Sequence, residues 1–128
     1  MNVVDSSGWI EFFVDGPNAA FFAEPINDAG SLMVPTVSVL EVYRYVLRRR
    51  GRQSALDVAA AMHQGRVIDL DETLAIEAAE LGATHSLPLA DSIIYATAAA
   101  SEAQLWTQDS HFEGLQGVRY VAKRGATR

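Results

Sequence analysis

Short, mostly apolar runs of two to four residues, which are strand candidates, alternate with longer helix-like segments along the chain. These runs are residues 3–4, 32–34, 67–70, 104–107 and 118–121. Strands that are apolar on both faces are typical of parallel sheets covered by helices, and parallel strands require long crossover connections. The alternation therefore predicts an α/β fold: a three-layer α/β/α domain in which helices flank a short, parallel central sheet.

Glycine, proline and small polar residues divide the intervening segments into helices. The predicted ranges are 6–13, 18–28, 36–50, 53–63, 72–81 and 88–103. Gly51 and Gly82 are each predicted to end a helix, and Pro88 to begin one. The chain has 128 residues with no internal repeat or long linker, so residues 1–128 are predicted to form a single domain.

Composition excludes several classes of protein. The chain has no cysteine, which excludes a disulfide scaffold, a zinc ribbon, an iron–sulfur cluster and a thiol nucleophile. A mostly apolar stretch at residues 93–100 is the longest, and it is far shorter than the ~20 residues of a membrane-spanning helix. The first charged residue is Asp5, where a signal peptide would carry Lys or Arg. We therefore expect a cytoplasmic protein with no membrane association.

Charge is divided between a basic segment and an acidic remainder. Residues 44–52 hold five of the ten basic residues and no acid, so this segment carries +5 and the rest −11, against a total of −6. Local potential steers a polyanion more than net charge does, although arginines at an exposed helix end are the alternative explanation. The candidates for phosphate contact are Arg44, Arg48, Arg49, Arg50 and Arg52.

Four acidic residues stand at positions that favour a catalytic or metal-binding role. Asp5 and Asp109 follow the first and fourth predicted strands, and open α/β sheets bind ligands beyond the carboxyl ends of their strands. Glu41 and Asp91 interrupt helices that are otherwise apolar around them. A carboxylate in such a helix is costly to bury unless it is paired or binds a metal.

Each acid taken alone also has a structural explanation. Asp5 can cap the next helix, Glu41 can pair with Arg44, Asp91 can be stabilised by a helix N-terminus and Asp109 can belong to a turn. Four converging carboxylates, however, repel one another and call for a cation. Carboxylate ligands favour a hard ion, Mg²⁺ or Mn²⁺. The three histidines are scattered, so a histidine metal site or catalytic triad is not expected.

Segments around the four acids resemble, in order, the motifs of the PIN-domain ribonucleases, and most closely those of the VapC toxins of bacterial toxin–antitoxin modules. The segments are residues 3–11 (VVDSSGWIE), 38–42 (SVLEV), 87–96 (LPLADSIIYA) and 107–112 (TQDSHF). The third segment is the most specific, and the resemblance covers nearly the whole chain. It implies that residues 1–128 form a single PIN-like nuclease domain.

The resemblance also implies roles for these residues. Ser7 and Thr107 would orient the carboxylates through their hydroxyl groups, and Asp91 or Glu41 would take a proton from water if a side chain does so. The implied reaction is hydrolysis of RNA with one or two Mg²⁺ or Mn²⁺ ions. The implied catalytic residues and metal ligands are Asp5, Glu41, Asp91 and Asp109.

Partners follow from the same resemblance, and two other functions remain as alternatives. The implied partners are an RNA substrate and a cognate antitoxin, with the chain in a homodimer or a larger toxin–antitoxin assembly. One alternative is a non-catalytic PIN-like module that binds RNA or protein. Another is a phosphatase or phosphoacceptor domain with Asp5 as nucleophile, although the chain's only lysine, Lys123, lies near its end.

Overall fold

A single parallel sheet of five strands forms the centre of the computed structural model, which describes residues 1–125. The strands are β1 (Asn2–Val4), β2 (Leu32–Pro35), β3 (Arg66–Ile68), β4 (Gln104–Thr107) and β5 (Val118–Tyr120). Their order in the sheet is β3-β2-β1-β4-β5, and every neighbouring pair is parallel. The predicted α/β class with a short parallel sheet is confirmed. The predicted range 1–128 also includes residues 126–128, which lie outside the described residues.

Five helices connect the strands. They are α1 (Ser6–Phe13), α2 (Ala19–Ile26), α3 (Thr36–Met62), α4 (Glu72–His85) and α5 (Leu89–Ala100). Short 3₁₀ turns at Ala29–Ser31 and Ser110–Phe112 follow α2 and β4. Within the described residues, none of these helices has both the length and the apolar character needed to cross a membrane.

Alternation along each strand divides the core into two parts. Val4 and Trp106 pack with Trp9 of α1 and Val42 of α3, whereas their strand neighbours pack on the opposite side. The second group includes Val3, Met33 and Leu105 together with Ile94, Tyr95 and Ala98 of α5. Because successive side chains of a strand point to opposite faces, the sheet lies between two helical layers, as the apolar runs predicted.

One of the two predicted helix-ending glycines behaves as expected and the other does not. Gly51 separates two helical segments of α3, as predicted, because its backbone is non-helical at φ 85° and ψ 179° and the helix kinks there. Gly82 was expected to end α4, and this was wrong, because α4 continues to His85 and ends at Ser86, which has φ 56°. A Cβ on Gly82 would lie 2.2 Å from Ser92 Oγ, so this glycine permits the close approach of α4 and α5.

Helix α5 is shorter than predicted. It ends at Ala100 rather than Ala103, since the chain turns through Glu102 at φ 52° before β4 begins. The turn brings β4 alongside β1, with Val4 opposite Trp106. The backbone N–H of Asp5 then donates to the carbonyl of Trp106 at 3.2 Å. The residues that follow β1 and β4 therefore meet at the carboxyl edge of the sheet.

Candidate metal centre

A pocket of about 320 Å³ at this edge is lined by side chains from both ends of the chain. Asp5 follows β1, Asp109 follows β4, Glu41 lies on α3 and Asp91 on the first turn of α5. Ser6, Ser7, Ile10 and Tyr45 complete the lining. The structure thus brings together all four acids singled out in the sequence. We call this cavity the acidic pocket.

Asp5 forms the buried wall of the acidic pocket. Its Oδ1 accepts from the backbone N–H of Gly8 at 2.9 Å, which caps α1, and its Oδ2 accepts from Thr107 Oγ1 at 2.8 Å. Ser7 Oγ lies 3.0 Å from both oxygens. The capping explanation and the chemical one are therefore not exclusive, because the same carboxylate caps the helix and lines the pocket.

Thr107 connects the two strand-end acids. Its hydroxyl donates to Asp5 and accepts from the backbone N–H of Asp109 at 2.9 Å. Thr107 is fully buried, so this hydroxyl cannot exchange either partner for solvent. Ser7 and Thr107 both contact Asp5, as their predicted orienting role requires.

Glu41 is held by a residue that the sequence analysis did not select. Ser6 Oγ donates to Glu41 Oε1 at 2.6 Å across 35 residues of chain. Glu41 makes no ion pair with Arg44 among the described residues. The pairing that was considered for this carboxylate is thus replaced by a short hydrogen bond from the first turn of α1.

Asp91 and Asp109 form the more exposed rim, and His111 joins them. His111 Nδ1 lies 2.9 Å from Asp109 Oδ1 and 3.2 Å from Asp91 Oδ2, and the imidazole side chain is 54% exposed. The turn at Ser110–Phe112 places it there, since the His111 N–H also donates to Asp109 Oδ1. The sequence analysis did not select His111, which nevertheless contacts two of the four acids.

Burial raises two carboxyl pKa values in the acidic pocket. Burial raises the pKa of Asp5 to about 7, although the hydrogen bonds from Thr107, Gly8 and Ser7 favour its ionised form. Burial, followed by the charge of Asp109, raises the pKa of Asp91 to about 6. The hydrogen bond to Asp109 raises the pKa of His111 above its ordinary value. Without a cation, the pocket therefore takes up protons near neutral pH.

The donor set fits a divalent cation. Ligand atoms of Asp91, Asp109 and His111 lie within 4.8 Å of one another, close enough to share one ion. Asp5 and Glu41 line the same pocket and add carboxylate oxygens to it. Carboxylates suit hard ions such as Mg²⁺ and Mn²⁺, and an imidazole is also an accepted ligand of transition metals. A double positive charge would stabilise the ionised carboxylates that burial disfavours.

A second cavity of about 310 Å³ adjoins the acidic pocket. It lies against the kink of α3, between Phe13 of α1 and residues on either side of Gly51. We call it the arginine slot, because Arg49 and Arg50 line it. Tyr45 lines both cavities, and the Arg49 guanidinium lies over its ring, 3.8 Å from the centroid.

The five predicted arginines therefore have different positions. Arg49 and Arg50 line the arginine slot, whereas Arg48 and Arg52 are exposed beside the kink and line neither cavity. Arg44 is also exposed and lines neither cavity, whereas Glu41 and Tyr45 line the acidic pocket from the same helix.

Three residues of this region were missed from the sequence: Ser6, Tyr45 and His111. Tyr45 lies four residues after Glu41, the spacing that places two side chains on one helix face, and this signal was available. His111 lies two residues after Asp109, within a motif that had already been selected. The choice between Ser6 and Ser7 as partner of Glu41 depends on side-chain direction in the first turn of α1, which sequence spacing does not supply.

Comparison with protein families gives a match to the model described as PIN domain, over residues 3–118. No curated protein matches the chain. Several solved structures are similar to it. A toxin–antitoxin complex from Klebsiella pneumoniae has a TM-score of 0.79 and 22% identity, with 93% of this chain and 96% of that chain covered.

Two further structures have the same fold at lower identity. VapC20 of Mycobacterium tuberculosis, described as a toxin that cleaves the sarcin–ricin loop, has a TM-score of 0.76 and 18% identity, covering 92% of this chain and 97% of its own. DNA-bound VapBC from Salmonella typhimurium has a TM-score of 0.72 and 14% identity, covering 94% and 96%. These likenesses establish the shared fold over nearly the full length of each protein.

Proposed function

The chain belongs to the PIN-domain family, and from this premise we propose that it is a metal-dependent endoribonuclease that acts as the toxin of a toxin–antitoxin pair. The observation that carries the proposal is the convergence of four acids, spread over residues 5–109, on one pocket. Support for the toxin role comes from the similar structures, which include a toxin–antitoxin complex and a toxin that cleaves an RNA loop. On this proposal, residues 1–128 act as one nuclease domain.

Asp5, Glu41, Asp91 and Asp109 are proposed to hold one or two Mg²⁺ or Mn²⁺ ions. When bound, such an ion supplies a water of lowered pKa and neutralises the charge that develops on the phosphodiester. Neighbouring groups of the chain hold and orient these four carboxylates. Asp5 is fixed by Thr107, Ser7 and the Gly8 N–H.

Glu41 is held by Ser6 at 2.6 Å, and Tyr45 lies beside it on the pocket wall. These contacts limit the directions in which the carboxylate oxygens point. Fixed ligands favour the charge distribution of the transition state without further reorganisation. We therefore propose that the acidic pocket binds the scissile phosphate and that a water molecule attacks it from within the pocket.

The partners are proposed to be RNA and a cognate antitoxin, in a homodimer or a larger assembly, within the cytoplasm. A complex named as a toxin–antitoxin complex is among the structures similar to this chain. The acidic remainder of the chain also suits a basic inhibitor segment, because opposite potentials favour association. Copurification of a tagged chain with a candidate antitoxin would test this partner directly.

Cleavage of total bacterial RNA by purified, antitoxin-free protein tests the nuclease. The reactions contain Mg²⁺, Mn²⁺ or EDTA, and we expect cleavage only with a metal. Asp91→Asn should lower the rate by at least about a hundredfold, because it removes a carboxylate aimed into the pocket. Glu80→Gln is the matched control, since Glu80 is an exposed acid on α4 that does not line the pocket.

Two outcomes would contradict the proposal. Cleavage that persists in Asp91→Asn at the wild-type rate would exclude the acidic pocket as the active site. Folded, inhibitor-free wild-type protein that cuts no RNA with either metal would favour the non-catalytic binding module instead. Circular dichroism of each variant ensures that a loss of cleavage is not a loss of folding.

A further inference from the structure

The arginine slot shares a wall with the acidic pocket. Tyr45 lines both cavities, four residues along α3 from Glu41. A polynucleotide with one phosphate at the acids therefore has an adjacent nucleotide beside this ring. The position of Tyr45 makes the slot a continuation of the candidate active site.

The chemistry of the slot suits a nucleobase. Its floor is apolar, formed by Phe13, Val46 and Val58, and none of its lining side chains is acidic. Unpaired bases in RNA are commonly stacked on aromatic rings and on arginine guanidinium planes. Both surfaces are present in the stacked pair of Tyr45 and Arg49.

Arg49 and Arg50 supply the complementary charge. Both are exposed and line the slot, so they can contact the phosphates on either side of a bound base. The kink at Gly51 turns the second half of α3 so that Ser54 and Val58 line the same cavity. The slot is thus a built cavity with a basic side, and the acidic pocket beside it carries the opposite charge.

We propose that the arginine slot binds the nucleobase adjacent to the scissile phosphate, and that Tyr45 and Arg49 determine the base preference of cleavage. This inference rests on the proposed ribonuclease function. The base contacts the Tyr45–Arg49 pair and the apolar floor, while Arg50 contacts the flanking phosphate. Stacking is tolerant of sequence, so the preference comes from the size and polar edge of the base that the slot accepts.

A binding experiment in EDTA tests the slot without cleavage. The probes are fluorescein-labelled hexamers of adenosine, cytidine or uridine and a ribose-phosphate hexamer without bases. We expect wild type to bind at least one base-carrying hexamer about tenfold more tightly than the hexamer without bases. Tyr45→Ala should reduce this ratio to about twofold, and Tyr45→Phe should retain it because the ring is kept.

Charge and folding are controlled separately. Arg49→Gln should weaken base-dependent binding, whereas Arg66→Gln removes an exposed arginine at the start of β3 and should leave the ratio unchanged. Because Arg49 is exposed, its variant remains informative if Tyr45→Ala does not fold. An equal ratio in wild type, Tyr45→Ala and Arg49→Gln would overturn the assignment of the slot.

A cleavage experiment places the bound base relative to the cut. A single abasic ribose is moved along an oligoribonucleotide that wild-type protein cleaves. We expect the position next to the cut to lower kcat/KM about tenfold in wild type and little in Tyr45→Ala. Cleavage at the same rate wherever the abasic ribose stands would contradict the proposed role of the arginine slot but not the ribonuclease function. Base-dependent binding without cleavage of any RNA would contradict the ribonuclease function instead. Tyr45→Ala that loses only antitoxin binding would assign the slot to a protein partner.

Discussion

The buried wall and the exposed rim of the acidic pocket hold their carboxylates in different ways. On the wall, Asp5 is 2% exposed and receives hydrogen bonds from two hydroxyls and one backbone N–H. On the rim, the side chains of Asp91 and Asp109 are 16% and 26% exposed and contact the imidazole of His111. The fold therefore fixes the wall through three neutral donors, whereas the two rim acids share the ionisable imidazole of His111 and Asp109 alone also accepts from a backbone N–H.

This difference indicates which half of the pocket is preformed. Asp5 keeps its orientation whatever occupies the pocket, because its three donors belong to α1 and β4. The rim acids contact a half-exposed side chain that is free to move into solvent. We therefore expect substitutions on the wall to have larger effects on metal affinity than substitutions on the rim.

Thr107→Val should have the largest effect. It removes the hydroxyl that joins Asp5 to the backbone of Asp109, while keeping the shape of the side chain. Loss of a group that orients a metal ligand typically weakens metal affinity about ten- to a hundredfold. Calorimetric titration with Mn²⁺ measures this loss.

A matched control is available for that variant. Thr97 is equally buried, but its hydroxyl donates only to the carbonyl of Ile93 in its own helix. Thr97→Val should leave Mn²⁺ affinity unchanged. Equal losses in both variants would show that general destabilisation, and not the wall, controls the affinity.

The pH dependence of the free energy of unfolding should also depend more on Asp5 of the wall than on Asp91 of the rim. The pKa of Asp5 is about 7 in the folded protein and 3.8 in the unfolded chain, so the folded state binds more protons between these values. The free energy of unfolding in EDTA should then fall as pH rises from about 4 to 7. Thermal unfolding should show a lower Tm at pH 8 than at pH 5.

Asp5→Asn should flatten this dependence, and saturating Mn²⁺ should reverse the loss at pH 8 by binding the folded state. Asp91, with a pKa of about 6, contributes in the same direction over a narrower range. A Tm in EDTA that rises steadily from pH 5 to pH 8 would contradict the burial of an uncompensated Asp5.

Ser7→Ala should have a smaller effect than Thr107→Val. Asp5 loses one donor but keeps the Gly8 N–H and Thr107. A single hydrogen bond contributes about 1 kcal/mol, which corresponds to about a fivefold loss of Mn²⁺ affinity. If Ser7→Ala lowered Mn²⁺ affinity more than Thr107→Val does, the expected order of the two variants would be wrong.

His111→Gln should have the smallest effect. Exposed ion pairs contribute little, so Mn²⁺ affinity should change by about fivefold or less. The same calorimetric titration measures it. A loss of a hundredfold would identify His111 as an essential metal ligand. It would also show that metal affinity depends on the rim as strongly as on the wall.

Sequence reasoning predicted most of the fold and the membership of the acidic pocket. The strand-end rule found Asp5 and Asp109, and apolar surroundings marked Glu41 and Asp91, because both signals depend on position along one element. Gly82 was misread, since a glycine that ends a helix and one that permits close helix packing look alike in sequence. Ser6 was missed because its contact with Glu41 depends on the direction of side chains across elements far apart in the chain. His111 was missed although it lies within a motif that had already been selected, two residues after Asp109.

The hydrogen bond between Thr107 and Asp5 joins residues 102 positions apart, and this has a consequence for synthesis. The ribosome makes Asp5 102 positions before the threonine that orients it. Contacts of such separation require closure of a long loop before they form. A nascent chain therefore cannot assemble the complete pocket until β4 has emerged, and premature termination before β4 yields a product without it.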